Sequence, residues 1–246
     1  MFDNDFNTVE LGTVIDTISG GTASRHHPEY YENGIHNWIK SKELLGSYIF
    51  ESEEKITNNA ILKSSAKLLP AYSVLVAMYG ATVGAFGISV NDSTCNQAIC
   101  ALIQNENYPY SYIFRNIRLS KEKLKKMAVG SAQQNISQIM IKQLPVHADI
   151  DKIQAFNKIA ERGMNKLFIL QKELHSLVKL REVLLPKLML ENSDSSTAKL
   201  SFIYIWIIIL WLIYYIYHII FIPNNIFLEI ILFCYQIQSL ELCHIK

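Results

Sequence analysis

From about Ile150 to Leu188, apolar or small side chains recur at alternating three- and four-residue steps: Ile153, Phe156, Ala160, Gly163, Leu167, Leu170, Leu174, Leu177, Leu184 and Leu188. Such steps average about 3.5 residues, the period of a helical seam that stays turned toward a partner helix. Arg181 interrupts the series, Gly163 weakens it, and Ile159, Met164, Phe168, Val178 and Leu185 widen the stripe. Asp149 and Asp151 stand where a helix start favours negative charge, and Pro186 marks where a regular helix is expected to end or kink. The pattern predicts one long helix with an apolar face that needs a partner.

Ahead of this rod the pattern is shorter and mixed. Val9 to Ile18 reads as a short strand or helix leading into the turn cluster Ser19-Gly20-Gly21-Thr22, and Ile35–Ile39 as a strand entering the loop Lys40-Ser41-Lys42. Residues 51–67 are polar and tolerate helix. Ala71 to Val90 reads as two strands joined at Gly80-Ala81-Thr82-Val83-Gly84, and Ala98–Ile103 as a further buried strand. A helix is expected after Pro109, with Lys121–Lys126 on its continuation. A polar loop follows over Gly130–Ser137, and Ile139–Ile141 with Leu144-Pro145-Val146 closes the unit. Short strands with intervening helices imply an α+β fold. The expected division is a globular domain over 1–148, a helical spacer or coiled coil over 149–190, and a hydrophobic tail over 191–246.

The tail changes character abruptly. Leu200 to Ile222 contains no Asp, Glu, Lys or Arg, a run longer than the ~20 residues that cross a bilayer. Its tryptophans and tyrosines are spread through the run instead of gathering at two interfaces. Two readings compete, a transmembrane helix over 200–222 and a frameshift-derived extension from AT-rich DNA. The sharp shift in composition favours the second.

Charge and cysteines bound the function. The formal net charge of +1 does not announce a nucleic-acid binder; residues 1–148 carry 13 acidic and 13 basic side chains. Cys95, Cys100, Cys234 and Cys243 form no C-x-x-C pair, so no metal site is expected and free thiols in a reducing cytosol are the plain reading. The acidic start Met1–Asp5 lacks the apolar run of a signal peptide, which points to the cytoplasm.

Catalytic motifs are lacking. Gly80 to Gly87 follows neither the dinucleotide nor the Walker pattern, and there is no G-x-S-x-G elbow or H-E-x-x-H. Glu53-Glu54-Lys55 contains an E-x-K triplet of the kind nucleases use for metal, but without a correctly placed upstream acid. The [ND]-P-P-[YF] loop of DNA amino-methyltransferases is also missing. The chain reads as a non-enzyme. Groups able to read base edges are better represented. Gln133-Gln134-Asn135 offers adjacent amides that suit adenine, while Arg25, Lys40 and Lys42 suit phosphate or guanine. Arg115, Arg118, Lys121, Lys123, Lys125 and Lys126, opposed only by Glu122, make one dense basic cluster.

The order of the segments resembles one half of the specificity subunit of a type I restriction-modification system. The resemblance runs through Leu11-Gly12, Ser19–Ser24, Tyr30-Tyr31, Trp38–Lys42, Leu69-Pro70, Ala77–Gly84, Asn96-Gln97-Ala98, Gly130–Ser137, Leu144-Pro145-Val146 and the rod with its ending Leu184–Met189, about residues 8–190. Ala23 departs from it, standing where the family commonly has proline. The resemblance implies a DNA target recognition domain followed by a conserved helical spacer that sets the distance to the second half of a split site and docks methyltransferase subunits. Full-length family members carry two such pairs; this sequence shows one, and a half subunit could pair with a second copy of itself.

The resemblance further implies double-stranded DNA, methyltransferase (modification) subunits and a restriction/translocase subunit as partners. S-adenosylmethionine, ATP and Mg would belong to those subunits, none to this chain. The cell would be bacterial or archaeal. Candidate DNA-binding residues are Gly21, Thr22, Ser24, Arg25, Lys40, Ser41, Lys42, Tyr79, Thr82, Gln133, Gln134 and Asn135. Candidate dimerisation or docking residues are Leu167, Leu170, Leu174, Leu177 and Leu184. The rival readings are a membrane-anchored coiled-coil interaction protein and a non-functional gene fragment.

Overall fold

The structure, a computed structural model, describes residues 7–128 and 135–191, the last four as helix backbone only. The candidates Gln133 and Gln134 and the tail, with its apolar run 200–222, lie outside the described residues. Among the described residues no helix is long and apolar enough to cross a membrane. The described residues divide into two units, one up to Lys172 and the other from Glu173 on.

In the first unit β1 (Thr8–Glu10) pairs with β10 (Pro145–His147), closing the domain on itself. A five-stranded sheet holds β2 (Asp16–Ser19), β9 (Ile99–Ile103), β6 (Val74–Ala77), β7 (Phe86–Ser89) and β4 (Tyr48–Ile49), in that order. Neighbours among its first four strands are antiparallel, and β4 runs parallel to β7. A second sheet orders β5 (Lys55–Ile56), β3 (His36–Ile39) and β8 (Ser93–Cys95). The helices are α1 (Asn58–Lys63), α2 (Tyr110–Met127), α3 (Gln138–Lys142) and α4 (Ile150–Glu191).

The strand β6 shows why the layers form. All four of its side chains are apolar and buried, as a strand covered on both faces requires. Successive side chains point to opposite faces. Val74 and Val76 join Ile113, Phe114 and Ile117 of α2, while Leu75 and Ala77 join Ile39, Leu69 and Cys95 near the smaller sheet. Burial of each large aliphatic chain contributes about 1.5–3 kcal/mol. A smaller cluster of Ala23, Tyr30, Trp38, Ile56, Ala60 and Ala66 anchors the loop after β2.

Local chemistry sets the ends of the helices. Thr57 Oγ1 accepts from Ala60 N at 3.2 Å ahead of α1, and Ser137 Oγ accepts from Met140 N at 3.2 Å ahead of α3. Asp149 Oδ1 accepts from Lys152 N at 3.2 Å at the start of α4, a bond that foremost lowers the Asp149 pKa. The helix runs past Pro186 to Glu191, beyond the expected stop. Proline there lacks the N–H for one intrahelical bond, and the helix continues across that single loss. Ile159, placed on the apolar stripe by its spacing, is exposed.

Candidate nucleic-acid interface

One end of the five-stranded sheet gathers segments that are distant in sequence. There β2 ends at Ser19, β9 begins at Ile99, β6 ends at Ala77 and β7 begins at Phe86. Backbone bonds knit the segments that follow. Gly20 N donates to Ile99 O at 3.0 Å, Gly21 N to Cys95 O at 2.9 Å, and Met78 N to Ala98 O at 2.7 Å. Asn96 N donates to Ile39 O at 3.0 Å, which brings the loop after β3 alongside, and Ile136 N donates to Met78 O at 2.9 Å. Tyr79 and Asn135 form an antiparallel bridge. The loops carrying residues 20–25, 40–42, 79–82, 96–98 and 135 therefore share one end of the domain.

The side chains there differ in what they can offer. Gly21 is buried, and Thr22 donates its hydroxyl to Gln97 Oε1 while the Ser65 hydroxyl holds Thr22 O at 3.3 Å. Gln97 is exposed, so its amide is oriented by Thr22 and open to solvent. Ser24, Tyr79 and Asn135 are exposed, and Ser41 is half-buried. Thr82 Oγ1 donates to Tyr79 O at 3.1 Å and closes the turn. Gly80 and Gly84 take φ values of +70° and +76°, conformations that favour glycine in that turn.

The three cations among the candidates are already partnered. Arg25 Nη2 lies 2.6 Å from Glu54 Oε2, and the guanidinium sits 4.1 Å from the Tyr31 ring centroid and 5.2 Å from that of Trp38. Lys40 Nζ bonds Glu54 Oε1 and lies 3.7 Å from Glu53 Oε2, and Lys42 Nζ lies 2.7 Å from Glu53 Oε2. The Lys42 bond is the main cause that lowers the Glu53 pKa and raises that of Lys42. For Glu54 burial works against ionisation, but hydrogen bonds from Lys40 and Arg25 outweigh it and the pKa falls.

More positive charge comes to the same end from α2, where Lys125 Nζ is paired with Glu122 Oε1 at 3.4 Å. The Lys121 carbonyl and Lys125 side chain lie about an added Cβ of Gly84, at 3.4 and 3.5 Å, and Lys121 Nζ stands 5.9 Å from the Phe86 ring centroid. Lys123, Lys125 and Lys126 are exposed. On α4, Leu167 packs at the edge of the main core, Leu170 and Leu174 are half-buried, and Leu177 and Leu184 are exposed. Among the described residues no cluster of three or more His, Cys, Asp or Glu could hold a metal ion.

Gln97, Glu53 and Glu54 are the residues that sequence reasoning left off the candidate set. Gln97 carried a signal, since Asn96-Gln97-Ala98 is one of the segments behind the family resemblance. The two glutamates stand in the sequence only as part of an E-x-K triplet, which gives no hint of their lysine and arginine partners.

The family model for the type I restriction modification DNA specificity domain matches residues 3–161. The chain belongs to that family. The specificity subunit of the Escherichia coli type I restriction enzyme EcoR124I/EcoR124II is 33% identical over 110 residues, an alignment that spans 44% of this chain and 27% of that protein. A chain from a solved structure of a type I R-M system matches at 14% identity with a TM-score of 0.51, covering 74% of this chain and 44% of the other. That likeness concerns the fold. The type I S subunit from M. genitalium matches at 16% identity and a TM-score of 0.49, with the same coverage. The chain thus spans less than half the length of these relatives.

Proposed function

We propose that this specificity-domain chain is a non-catalytic DNA-reading subunit of a type I restriction-modification complex. Residues 1–148 read one part of a split site, and α4 spaces that reading from a second one. The observation that carries the reading is the convergence of the candidate loops and the α2 lysines at one end of the domain. Lysine and arginine there would position phosphates. Polar groups such as Gln97, Tyr79 and Asn135 would meet base edges in the major groove.

The methyltransferase and restriction/translocase subunits would supply catalysis in the cytoplasm, together with S-adenosylmethionine, ATP and Mg. A near-neutral recognition half binds DNA weakly alone and gains affinity from its partners' contacts. Two copies of this chain would pair through α4 and present two recognition domains, giving a symmetric split site.

The test pairs the full chain with a type I methyltransferase subunit and maps modified bases across plasmid DNA. One split, adenine-containing motif is the expected result. A soluble complex with an active methyltransferase but no motif would overturn the reading.

A further inference from the structure

The cations that best suit phosphate, Arg25, Lys40 and Lys42, do not face solvent as free charges. Glu54 spans Arg25 and Lys40, and Glu53 takes Lys42 and approaches Lys40. Both carboxylates come from one short segment ahead of β5, which Trp38 N fastens by donating to Glu54 O at 3.0 Å. Glu43 braces the same segment, accepting from Glu53 N at 2.8 Å and from Lys40 N at 2.6 Å. The backbone under both carboxylates is therefore anchored beside the three cations.

We propose that Glu53 and Glu54 are specificity-determining residues that occupy the place of phosphate on Arg25, Lys40 and Lys42 until DNA displaces them. The inference rests on reading this end of the domain as the DNA interface. A free lysine that meets a phosphate releases about one counterion and strengthens binding to any duplex. A lysine already paired with a carboxylate gives no such gain, because one anion replaces another. Non-specific DNA then meets a patch of little net charge. A cognate site offsets the exchange with base contacts that random sequence lacks.

The surroundings suit an exchange. Arg25 keeps its place over Tyr31 and Trp38 when Glu54 leaves it, because the rings hold the guanidinium independently. Lys42 and Glu53 are both more than half exposed, so their pair opens without disturbing the core. Lys40 is the least exposed of the three cations, 20% at its side chain, and remains beside the Trp38 ring at 5.7 Å.

The test uses the full chain, co-purified with a type I methyltransferase subunit, and a short random-sequence duplex as probe. Fluorescence anisotropy across a salt series reads affinity and its salt slope. Glu53→Gln should tighten random-duplex binding roughly three- to ten-fold at low salt and steepen the slope by about one unit, the value of one freed phosphate contact. Adding Lys42→Ala should cancel that gain, because Lys42 is the cation released. Glu54→Gln should act in the same direction, with a thermal melt confirming that the domain is folded. Modified-base sequencing should show methylation spreading to near-motif sites.

Unchanged affinity and slope in Glu53→Gln overturn the proposal, and weaker binding overturns it by making the carboxylates supports for a DNA-binding geometry. If neither wild type nor variants bind duplex in a salt-dependent way, the interface reading fails and takes this proposal with it.

Discussion

An added Cβ on Gly20 would stand 2.2 Å from Asn96 O, and one on Gly21 would stand 2.1 Å from Ser65 O. Both clashes are with backbone, which cannot swing away as a side-chain tip does. Gly21→Ala should therefore destabilise the domain by about 2–3 kcal/mol, read as a lower urea midpoint, and should weaken DNA recognition even at permissive temperature. The buried thiols make a second prediction at this scale. Desolvation pushes Cys95 and Cys100 up to about 12 from a usual 9.0. Their contribution to stability is complete below the unfolded value near 9 and is lost as pH rises from there through about 12. Native Cys95 and Cys100 should resist maleimide at pH 8 and react on unfolding, which peptide mapping after a timed pulse can check. The glycine-rich loop was legible locally because small residues cluster there. The Glu54 pairs were not, since they join residues 14 and 29 positions apart through loops whose convergence no local spacing encodes.

The helix α4 enters the structure as part of the core. Ile153 is buried, Phe156 meets the Tyr112 ring edge-on at 6.1 Å, and Phe168 meets Tyr48 at 5.3 Å and Phe50 at 5.4 Å. Gln171 Oε1 accepts from Tyr48 N at 3.0 Å, satisfying an amide at the edge strand β4. Truncating Phe168 to alanine should cost about 2 kcal/mol in urea unfolding, less than for a fully buried phenylalanine because Phe168 is half-buried. Phe168→Leu should recover most of that. If the aromatic contacts also hold the reading geometry, Phe168→Ala should relax the spacing between half-sites while leaving each half-site sequence unchanged. The long helix was legible because its period is regular over many turns. The joined strands β6 and β7 and the helix after Pro109 were legible for similar reasons. The strands β4 and β8, two and three residues long, were not, because such short runs carry no periodicity and their pairing partners lie far along the chain.

For the molecule as a whole, the open question is what covers the apolar residues of its second unit. Leu177, Leu180 and Leu184 are 51, 53 and 43% exposed in the lone chain, at the three- and four-residue steps of a helix seam. Exposure of that kind along one helix is what a partner helix would remove. On the proposed reading the partner is a second copy, and each copy brings one recognition domain to a symmetric split site. Leu177→Asp combined with Leu184→Asp should then lower the mass of the complex by light scattering, to one recognition subunit per assembly. The substitutions lie outside residues 1–172, so the thermal melt of that unit and its weak, salt-dependent affinity for random duplex should stay near wild type. The split methylation motif should vanish in the same sample, because a single reader has no second half-site to measure against. Loss of the motif with the mass unchanged would instead place the two leucines at a methyltransferase contact. Full retention of both mass and motif would remove them from assembly altogether.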